Sequence, residues 1–431
     1  MTSRRRGLVL IQDGLGDWPV PELGDRTPLE AARKPVMDSL ITAGAAGLID
    51  IIAPGVKVET DIGHLALFGQ DPVGGYSGRG PLEAAGVGLQ LQLGDVAFRC
   101  NLATMDSSAT IVDRRAGRIR DTGTFAAALD GLDLEEGVRI FFRGATDHRA
   151  ILVLRGAGLS PAVSDSDPGR EGHPIRVVGP TDASPEAART AELVNRFLAR
   201  SRGILERVPG NEARRAAGLP EVNCVITRGA GRPTSFENIA KKFSIRAACI
   251  SGESTVRGTA QLCGFETFDD QSMTANIDTN LEGKAALAVR TLETHDLVYV
   301  HLKGCDIMAH DRRPLDKMRF IERTDAMVGD LLSRIENRDN LVLAFVSDHC
   351  TSSQTGEHTG DPVPVFVQGP GIESDAVARY GERDCARGRL GRMYSVHFLA
   401  YFFAKLGVQD RRKQRREPQN RPPQSREQSE R

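Results

Sequence analysis

Short apolar runs that stop at acidic residues alternate with amphipathic stretches at both ends of the chain, and this alternation predicts an α/β core. Gly7–Asp13 (GLVLIQD) is a continuous apolar run closing at Asp13-Gly14, as a strand buried on both faces of a parallel sheet does. Thr27-Pro28-Leu29-Glu30 has the spacing of a capping box with proline at the first helical position, so a helix is expected from there through Ala43, closed by Gly44. Late in the chain, Leu281–Thr294 predicts a helix and Asp296–Lys303 (DLVYVHLK) a strand. Pro314–Asn337 predicts a long helix, with Leu315, Met318, Ile321, Met327, Leu331 and Ile335 at helical spacing, and Leu341–Ser347 (LVLAFVS) a second buried strand.

The middle of the chain has another texture, punctuated by Gly and Pro around alternating strands such as Arg149–Leu154 and Val222–Thr227. The expected architecture is therefore α/β: a mostly parallel sheet flanked by helices, drawn from residues 1–111 and 271–409, with a smaller α+β domain inserted at 112–270. The last 22 residues, from Asp410, hold no apolar side chain except proline and cannot offset their ordering entropy, so 410–431 is expected to be a disordered tail.

Composition narrows the function classes. A length of 431 residues suits about two domains, and 40% hydrophobic with 26% charged residues describes an ordinary globular chain with a sizeable core. Fifty-six basic against 57 acidic residues leave a net charge of −1, which gives no footprint for nucleic acid or an anionic membrane. The tail is basic, but it also carries glutamates and no aromatic for stacking, so no nucleic-acid partner is expected. No run of about 18 apolar residues exists to span a bilayer, and Leu8–Ile11 is too short for a signal-peptide core. Seven scattered cysteines without a CxxC read as reduced thiols of a cytoplasmic protein, each a small buried hydrophobe.

Three expected strands end in metal-type ligands: Asp13 after the first, Asp306 and His310 after the strand ending at Lys303, and Asp348-His349 after Leu341–Ser347. A fourth cluster, Glu357-His358-Thr359-Gly360-Asp361, lies in the loop beyond. The carboxyl ends of strands in an open parallel sheet share one crevice, so residues distant in sequence converge there. One carboxylate after a strand is more often a cap or a solvated turn; six such residues at matching strand ends are not easily explained that way. Mixed Asp/His ligation suits Mn²⁺ or Zn²⁺ over Ca²⁺. Thr60, opening the apolar stretch to Phe68-Gly69, places a hydroxyl at a helix N-terminus, where phosphate is favoured, although taken alone it reads as an N-cap.

Those segments carry a family resemblance. GLVLIQDGLGD (7–17), TPLEAARKPVMDSL (27–40), TDIGHLALFGQDPVGGYSGRGPLEAAGVG (60–88), GDVAFRCNLATMD (94–106), DHRAILVLRG (147–156), VSDSDP (163–168), TRGAG (227–231), CISGESTVRG (249–258), HLKGCDIMAHD (301–311), SDHCTS (347–352) and EHTGDPVPV (357–365) run in order over about 7–407. The chain resembles the archaeal-type, cofactor-independent phosphoglycerate mutases of the alkaline phosphatase superfamily. The resemblance implies an alkaline-phosphatase-like core and a phosphoryl-transfer site with two divalent ions (Mn²⁺ first, with Zn²⁺, Co²⁺ or Mg²⁺ as alternatives) and no 2,3-bisphosphoglycerate. One ion would take Asp306, His310 and His358, and the other Asp13, Asp348 and His349.

The same resemblance implies Thr60 as nucleophile, with Lys303 from the core as a further catalytic residue. A small phosphorylated acid would be held at its carboxylate and phosphate by Arg149, Arg228 and Arg257, and at its glycerate hydroxyls by His148 and Asp165, under an inserted domain that excludes water. Arg79 and Arg99 lie in matching motifs without a separable role, and a homo-oligomer is left open. Three segments depart from the family pattern: Glu59-Thr60 stands for Gly-Ser, Asp306-Ile307-Met308-Ala309-His310 for Asp-Glu-Ala-Gly-His, and Asp348-His349-Cys350-Thr351-Ser352 for Asp-His-Ser-Thr-Pro. Glu59 would repel an incoming phosphate unless turned away or neutralised. These departures keep a second reading, a mutase-like phosphotransferase of phosphonate- or phosphinate-type specialised metabolism acting on another phosphoglycerate-like acid.

Overall fold

Apart from one two-stranded hairpin, the strands fall into two sheets because the chain alternates two kinds of pattern, continuous apolar runs and half-polar alternations. In the computed structural model, which describes residues 5–72, 74–134, 137–268 and 270–410, the strands run in chain order as follows. They are β1 (Arg6–Gln12), β2 (Gly44–Asp50), β3 (Val96–Met105), β4 (Thr110–Asp113), β5 (Arg139–Gly144), β6 (Arg149–Arg155), β7 (His173–Pro174) and β8 (Cys224–Gly231). They continue as β9 (Ala247–Ile250), β10 (Glu266–Phe268), β11 (Leu297–Leu302), β12 (Leu341–Val346), β13 (Cys350–Ser352), β14 (Glu357–Thr359), β15 (Val363–Gln368) and β16 (Gly391–Tyr394). Apart from Asp410, the expected tail lies outside the described residues.

The first sheet has eight strands in the order β10-β9-β11-β1-β12-β15-β2-β16. From β10 to β12 every pair is parallel, with Ile11 opposite both His301 and Val346, and only β15 runs against its neighbours. Both faces are covered. Val9, Ile11 and Tyr299 pack under the helices Thr60–Leu67, Ser254–Leu262 and Ser395–Leu406. Leu8, Leu10, Val298 and Val300 pack under Pro35–Thr42, Leu281–Leu292 and Pro314–Ser333. Successive side chains of a strand point to opposite faces, so an unbroken apolar run is what a sheet between two helical layers requires. The fold is α/β, and all seven cysteines are buried without a disulfide partner.

The second sheet is antiparallel, in the order β5-β6-β3-β4-β7 with β8 also paired to β3. Val96, Phe98, Cys100 and Leu102 enter its apolar core, covered by the helices Gly123–Leu129 and Pro185–Leu205. Its other face meets the helix Arg79–Gly86, which lies along Ser254–Leu262 so closely that a Cβ on Gly86 would meet the Ser254 carbonyl oxygen at 1.9 Å. Only glycine permits that approach.

Three expectations change. The second sheet begins at Val96, ahead of residue 112, and β9 and β10, assigned to the insert from sequence, lie in the first sheet. The single helix expected from Thr27 through Ala43 is two, Pro28–Ala31 and Pro35–Thr42. The capping box at Thr27 forms as expected, but Pro35 pushes Lys34 out of helical conformation and restarts the chain. The long helix ends at Ser333 rather than Asn337.

Candidate active site

The parallel strands deliver the candidate ligands to one place. Asp13 follows β1; Lys303 follows β11 and opens the helix Gly304–His310, which carries Asp306 and His310 one turn apart; Asp348 and His349 follow β12; and His358 sits on the hairpin β13–β14. Two groups result, Asp306/His310/His358 and Asp13/Asp348/His349, each with its ligand atoms within 4.8 Å of one another. Thr60 is the first residue of its helix rather than the cap. Glu59 holds the cap position and makes no side-chain capping bond. Gly63, one turn on, lets this helix rest on the strand end, since a Cβ there would meet the Asp348 carbonyl oxygen at 2.5 Å. Thr60 Oγ1, buried, then lies 3.3 Å from His349 Nε2 and 3.1 Å from Lys303 Nζ.

Proton placement favours metal binding. His310 Nδ1 donates to the Gly356 carbonyl at 2.7 Å and His358 Nδ1 to that of Val58 at 2.9 Å. His349 Nδ1 donates to Thr351 Oγ1 at 3.1 Å, whose own hydrogen goes to Asp306 Oδ1 at 2.9 Å. With each Nδ1 carrying the hydrogen, each Nε2 presents its lone pair to the centre. The Nε2 atoms of His310 and His358 stand 3.2 Å apart, which two bare lone pairs cannot sustain without a proton or cation between them. Asp348 Oδ2 is buried with no hydrogen-bond partner among the described residues. The donor set fits divalent cations of borderline softness.

Lys303 joins the groups. Its Nζ lies 2.9 Å and 3.0 Å from the two Asp13 oxygens and 2.8 Å from Asp306 Oδ2. Burial pulls the ammonium pKa down, but Asp13, Asp306 and Glu253 more than reverse this and hold it above its ordinary value. Burial likewise pushes both aspartates up, but the Lys303 ammonium, with their histidine hydrogen bonds, brings each well below the carboxylate range. For His310 and His358, burial favours the neutral ring, yet Asp306 raises both pKa values above ordinary histidine. A metal ion at this group must therefore displace protons. We expect apparent Mn²⁺ affinity to fall as pH drops from about 8 to 6, by roughly tenfold per pH unit for each proton displaced. Titration calorimetry in buffers of different ionisation enthalpy checks this, and an affinity flat across that range would refute it.

Two buried histidines escaped the sequence reading. His301 Nε2 donates to Asp13 Oδ2 at 2.9 Å while its Nδ1 accepts from Ser251 Oγ at 2.9 Å, and burial keeps the ring neutral. His64 Nδ1 donates to the Thr60 carbonyl at 2.7 Å and lies 3.3 Å from Asp348 Oδ2. The signal was present, since His301 lies two positions before Lys303 and His64 four positions after Thr60 on one helix, but it needed the register to be read. Partners of this kind hold a ligand's orientation. We expect His301→Phe to weaken Mn²⁺ binding by about 10- to 100-fold in a protein that still folds, measured by calorimetry; unchanged affinity would reduce His301 to a packing residue.

Above Thr60, the polar face of the second sheet closes a cavity of about 610 Å³. His148, Arg149 and Arg228 line it, as do Arg79, Arg99 and Asn101. Arg149 is paired with buried Glu253. Burial and three arginine neighbours, Arg149 first, hold the His148 pKa well below the ordinary histidine value. Two ion pairs tie the loop after β4 across to the first-sheet half, Arg118–Asp311 at 2.6 Å and Arg120–Asp278 at 2.7 Å. The structure places Asp165 and Arg257 outside this lining. The Asp165 carboxylate accepts from the Gly229 N–H at 3.0 Å, and Arg257 donates to the Ser251 and Gly252 carbonyls at 3.3 Å from the wall of a neighbouring cavity. Glu59 is mostly exposed and faces Arg79 at 3.5 Å, which answers its charge.

Fold and site together define an enzyme of the α/β class, with an Asp/His cluster at the carboxyl ends of its parallel strands and an arginine-lined cavity over it. Residues 42–211 match the family described as 2,3-bisphosphoglycerate-independent phosphoglycerate mutase. The chain is 41% identical over 392 residues to 2,3-bisphosphoglycerate-independent phosphoglycerate mutase 1 of Methanothermobacter thermautotrophicus, covering 90% of this chain and 95% of that one. It is 42% identical over 401 residues to the Methanopyrus kandleri enzyme, covering 92% and 95%. Among solved structures, the cofactor-independent phosphoglycerate mutase from Thermoplasma acidophilum has 33% identity and a TM-score of 0.63 over 94% of this chain and 100% of its own. The PH0037 protein from Pyrococcus horikoshii has 32% identity and a TM-score of 0.78 over 94% and 98%. The chain belongs to the 2,3-bisphosphoglycerate-independent phosphoglycerate mutases, which are isomerases. Among the described residues no helix is long and apolar enough to cross a membrane.

Proposed function

We propose that the chain interconverts 3-phosphoglycerate and 2-phosphoglycerate in the cytoplasm through a phosphothreonine at Thr60, with two divalent metal ions and without 2,3-bisphosphoglycerate. The observation that carries this reading is the setting of Thr60 Oγ1: at a helix N-terminus, buried, 3.1 Å from Lys303 Nζ and 3.3 Å from His349 Nε2. Asp306, His310 and His358 would hold one ion, and Asp13, Asp348 and His349 the other, Mn²⁺ being favoured over Zn²⁺, Co²⁺ or Mg²⁺. Bound there, the ions supply positive charge that stabilises the transferring phosphoryl group and eases ionisation of a hydroxyl.

The chain's own residues do the rest. Lys303 donates toward Thr60 Oγ1 and steadies negative charge as it develops there. The N-terminus of the helix Thr60–Leu67 favours the phosphoryl oxygens through its dipole. The bond from phosphorus to the substrate's 3-oxygen breaks as a bond to Thr60 Oγ1 forms, and the hydrogen that Thr60 Oγ1 gives up ends on the 3-oxygen, leaving glycerate. The glycerate turns under Arg149 and Arg228, and its 2-oxygen takes the phosphoryl group back. The second sheet over the cavity keeps water from the phosphoenzyme. The test is a ³¹P NMR time course with 3-phosphoglycerate and Mn²⁺ well below the phosphate concentration. A growing 2-phosphoglycerate signal without free phosphate is expected. Free phosphate alone would mark a hydrolase, and an unchanged spectrum in metal-loaded protein would turn the reading to another phosphoglycerate-like acid.

A further inference from the structure

The polar face of the second sheet holds an unbalanced set of charges. On β3 the alternation that buries Val96, Phe98, Cys100 and Leu102 turns Arg99 and Asn101 to the opposite face, toward the cavity. Register sets Arg99 opposite Arg228 on β8 and Asn101 opposite Arg149 on β6, and residues directly opposite share a face. The four cations nearby are not equally compensated. Arg149 has Glu253, and Arg79 stands within 4 Å of Glu59, Asp61 and Glu83. Arg99, only 3% exposed, has Glu83 at 3.5 Å without a hydrogen bond, and Glu83 is already engaged by Ser254 and Thr255. The Nε atoms of all four, and Arg99 Nη1 besides, are buried without a hydrogen-bond partner among the described residues, so it is their carboxylate neighbours that set Arg79 and Arg149 apart. Burial and neighbouring arginines pull both pKa values down, Arg228 to about 10.

Asn101 adds the complementary feature. Its Nδ2 donates to the Arg114 carbonyl at 3.1 Å, which fixes the amide's orientation and leaves Oδ1, buried, as an acceptor without a donor. Buried polar atoms ordinarily find partners, and those that do not in a protein cavity mark what a ligand brings. Missing here are an anion for two guanidiniums and a hydroxyl hydrogen for one amide oxygen.

We propose that Arg99 and Arg228 take the carboxylate of the substrate while Asn101 Oδ1 accepts a hydrogen bond from its free hydroxyl, so that this sheet face selects phosphorylated hydroxy acids over phosphorylated acids that lack the hydroxyl. The assignment rests on the phosphoglycerate reading above and adds its specificity device. A site built to pair a hydroxyl penalises the analogue without it, because the amide oxygen stays unpaired.

The test is isothermal titration of Mn²⁺-loaded Thr60→Ala protein with 2-phosphoglycerate and with 2-phospholactate, which lacks only the 3-hydroxyl. The background protein is expected to bind 2-phosphoglycerate about tenfold or more tightly. Adding Asn101→Ala removes that preference by weakening 2-phosphoglycerate alone, whereas adding Arg99→Met weakens both ligands by about tenfold or more. In the ligand-free protein Arg99→Met raises the melting temperature, since it removes a buried cation among cations; a collapsed fold would lower it. The assignment is overturned if Asn101→Ala weakens both ligands equally or neither, or if Arg99→Met leaves both unchanged. If the background protein binds neither ligand, the phosphoglycerate reading itself fails and takes the assignment with it.

Discussion

Thr60→Ala abolishes phosphoryl transfer, with kcat falling on the order of 10⁴- to 10⁶-fold, while Thr60→Ser keeps activity within about tenfold. The expectation follows from what the hydroxyl touches. Oγ1 receives the Lys303 ammonium at 3.1 Å and faces His349 Nε2 at 3.3 Å, so removing it deletes the hydroxyl set between the shared lysine and a histidine of the second Asp/His group. The substitution opens little space in a helix whose cap does not depend on this side chain, so the protein folds and keeps its metal affinity. Serine keeps the oxygen and gains rotamer freedom, which threonine lacks at χ1. Acid-quenched wild-type protein mixed with 3-phosphoglycerate should carry phosphate on Thr60 by mass spectrometry. Activity retained by the alanine variant, or label found at another residue, would remove Thr60 from the mechanism.

What the sequence made legible here is the chemistry that depends on residue type at the end of a pattern. Asp13, Asp306 and Asp348 follow apolar runs, and the crevice shared by parallel strand ends brings them together without further knowledge. His310 was readable as a second metal-type residue after the same strand, and the helix Gly304–His310 sets it one turn from Asp306. Side chains whose meaning depends on register were harder. His301 lies inside an apolar strand and reads as core until β1 is seen beside β11, with Asp13 at the next level. Arg99 and Asn101 alternate with apolar neighbours in plain view, but which arginine each opposes is decided by strands far along the chain, β8 for Arg99 and β6 for Asn101. Arg257 and Asp165 sit in matching segments, and the structure gives both of them backbone partners away from the cavity over Thr60. The boundaries shifted for a related reason. β9 is only four residues long, too short for its apolar content to declare which sheet it joins, and that is settled by pairing with β11.

Lys303→Met carries the second large effect, and it divides between the metal-free and metal-loaded protein. Without metal, Lys303 is the cation that holds Asp13 and Asp306 ionised and buried, at 2.9 Å and 2.8 Å. Breaking a buried pair by removing one partner costs about 3–5 kcal/mol, because it leaves buried charge uncompensated. The metal-free variant should therefore melt well below the wild type near neutral pH. With Lys303 gone, the folded-state pKa values of both aspartates rise from their depressed position. Stability that the wild type holds above the ordinary carboxylate range, and loses as pH falls through the depressed values, is then missing from the variant at neutral pH. The gap between the two proteins should narrow on acidification. Cations bound by the same aspartates replace the lost charge, so Mn²⁺ should raise the variant's melting temperature more than the wild type's. Activity does not recover with it. Lys303 Nζ also contacts Thr60 Oγ1, and losing a preorganised donor at developing charge costs about 10²- to 10³-fold in kcat. A metal-free variant that melts like the wild type would deny Lys303 its place between the aspartates. Full activity in the Mn²⁺-loaded variant would deny it any part in the transfer.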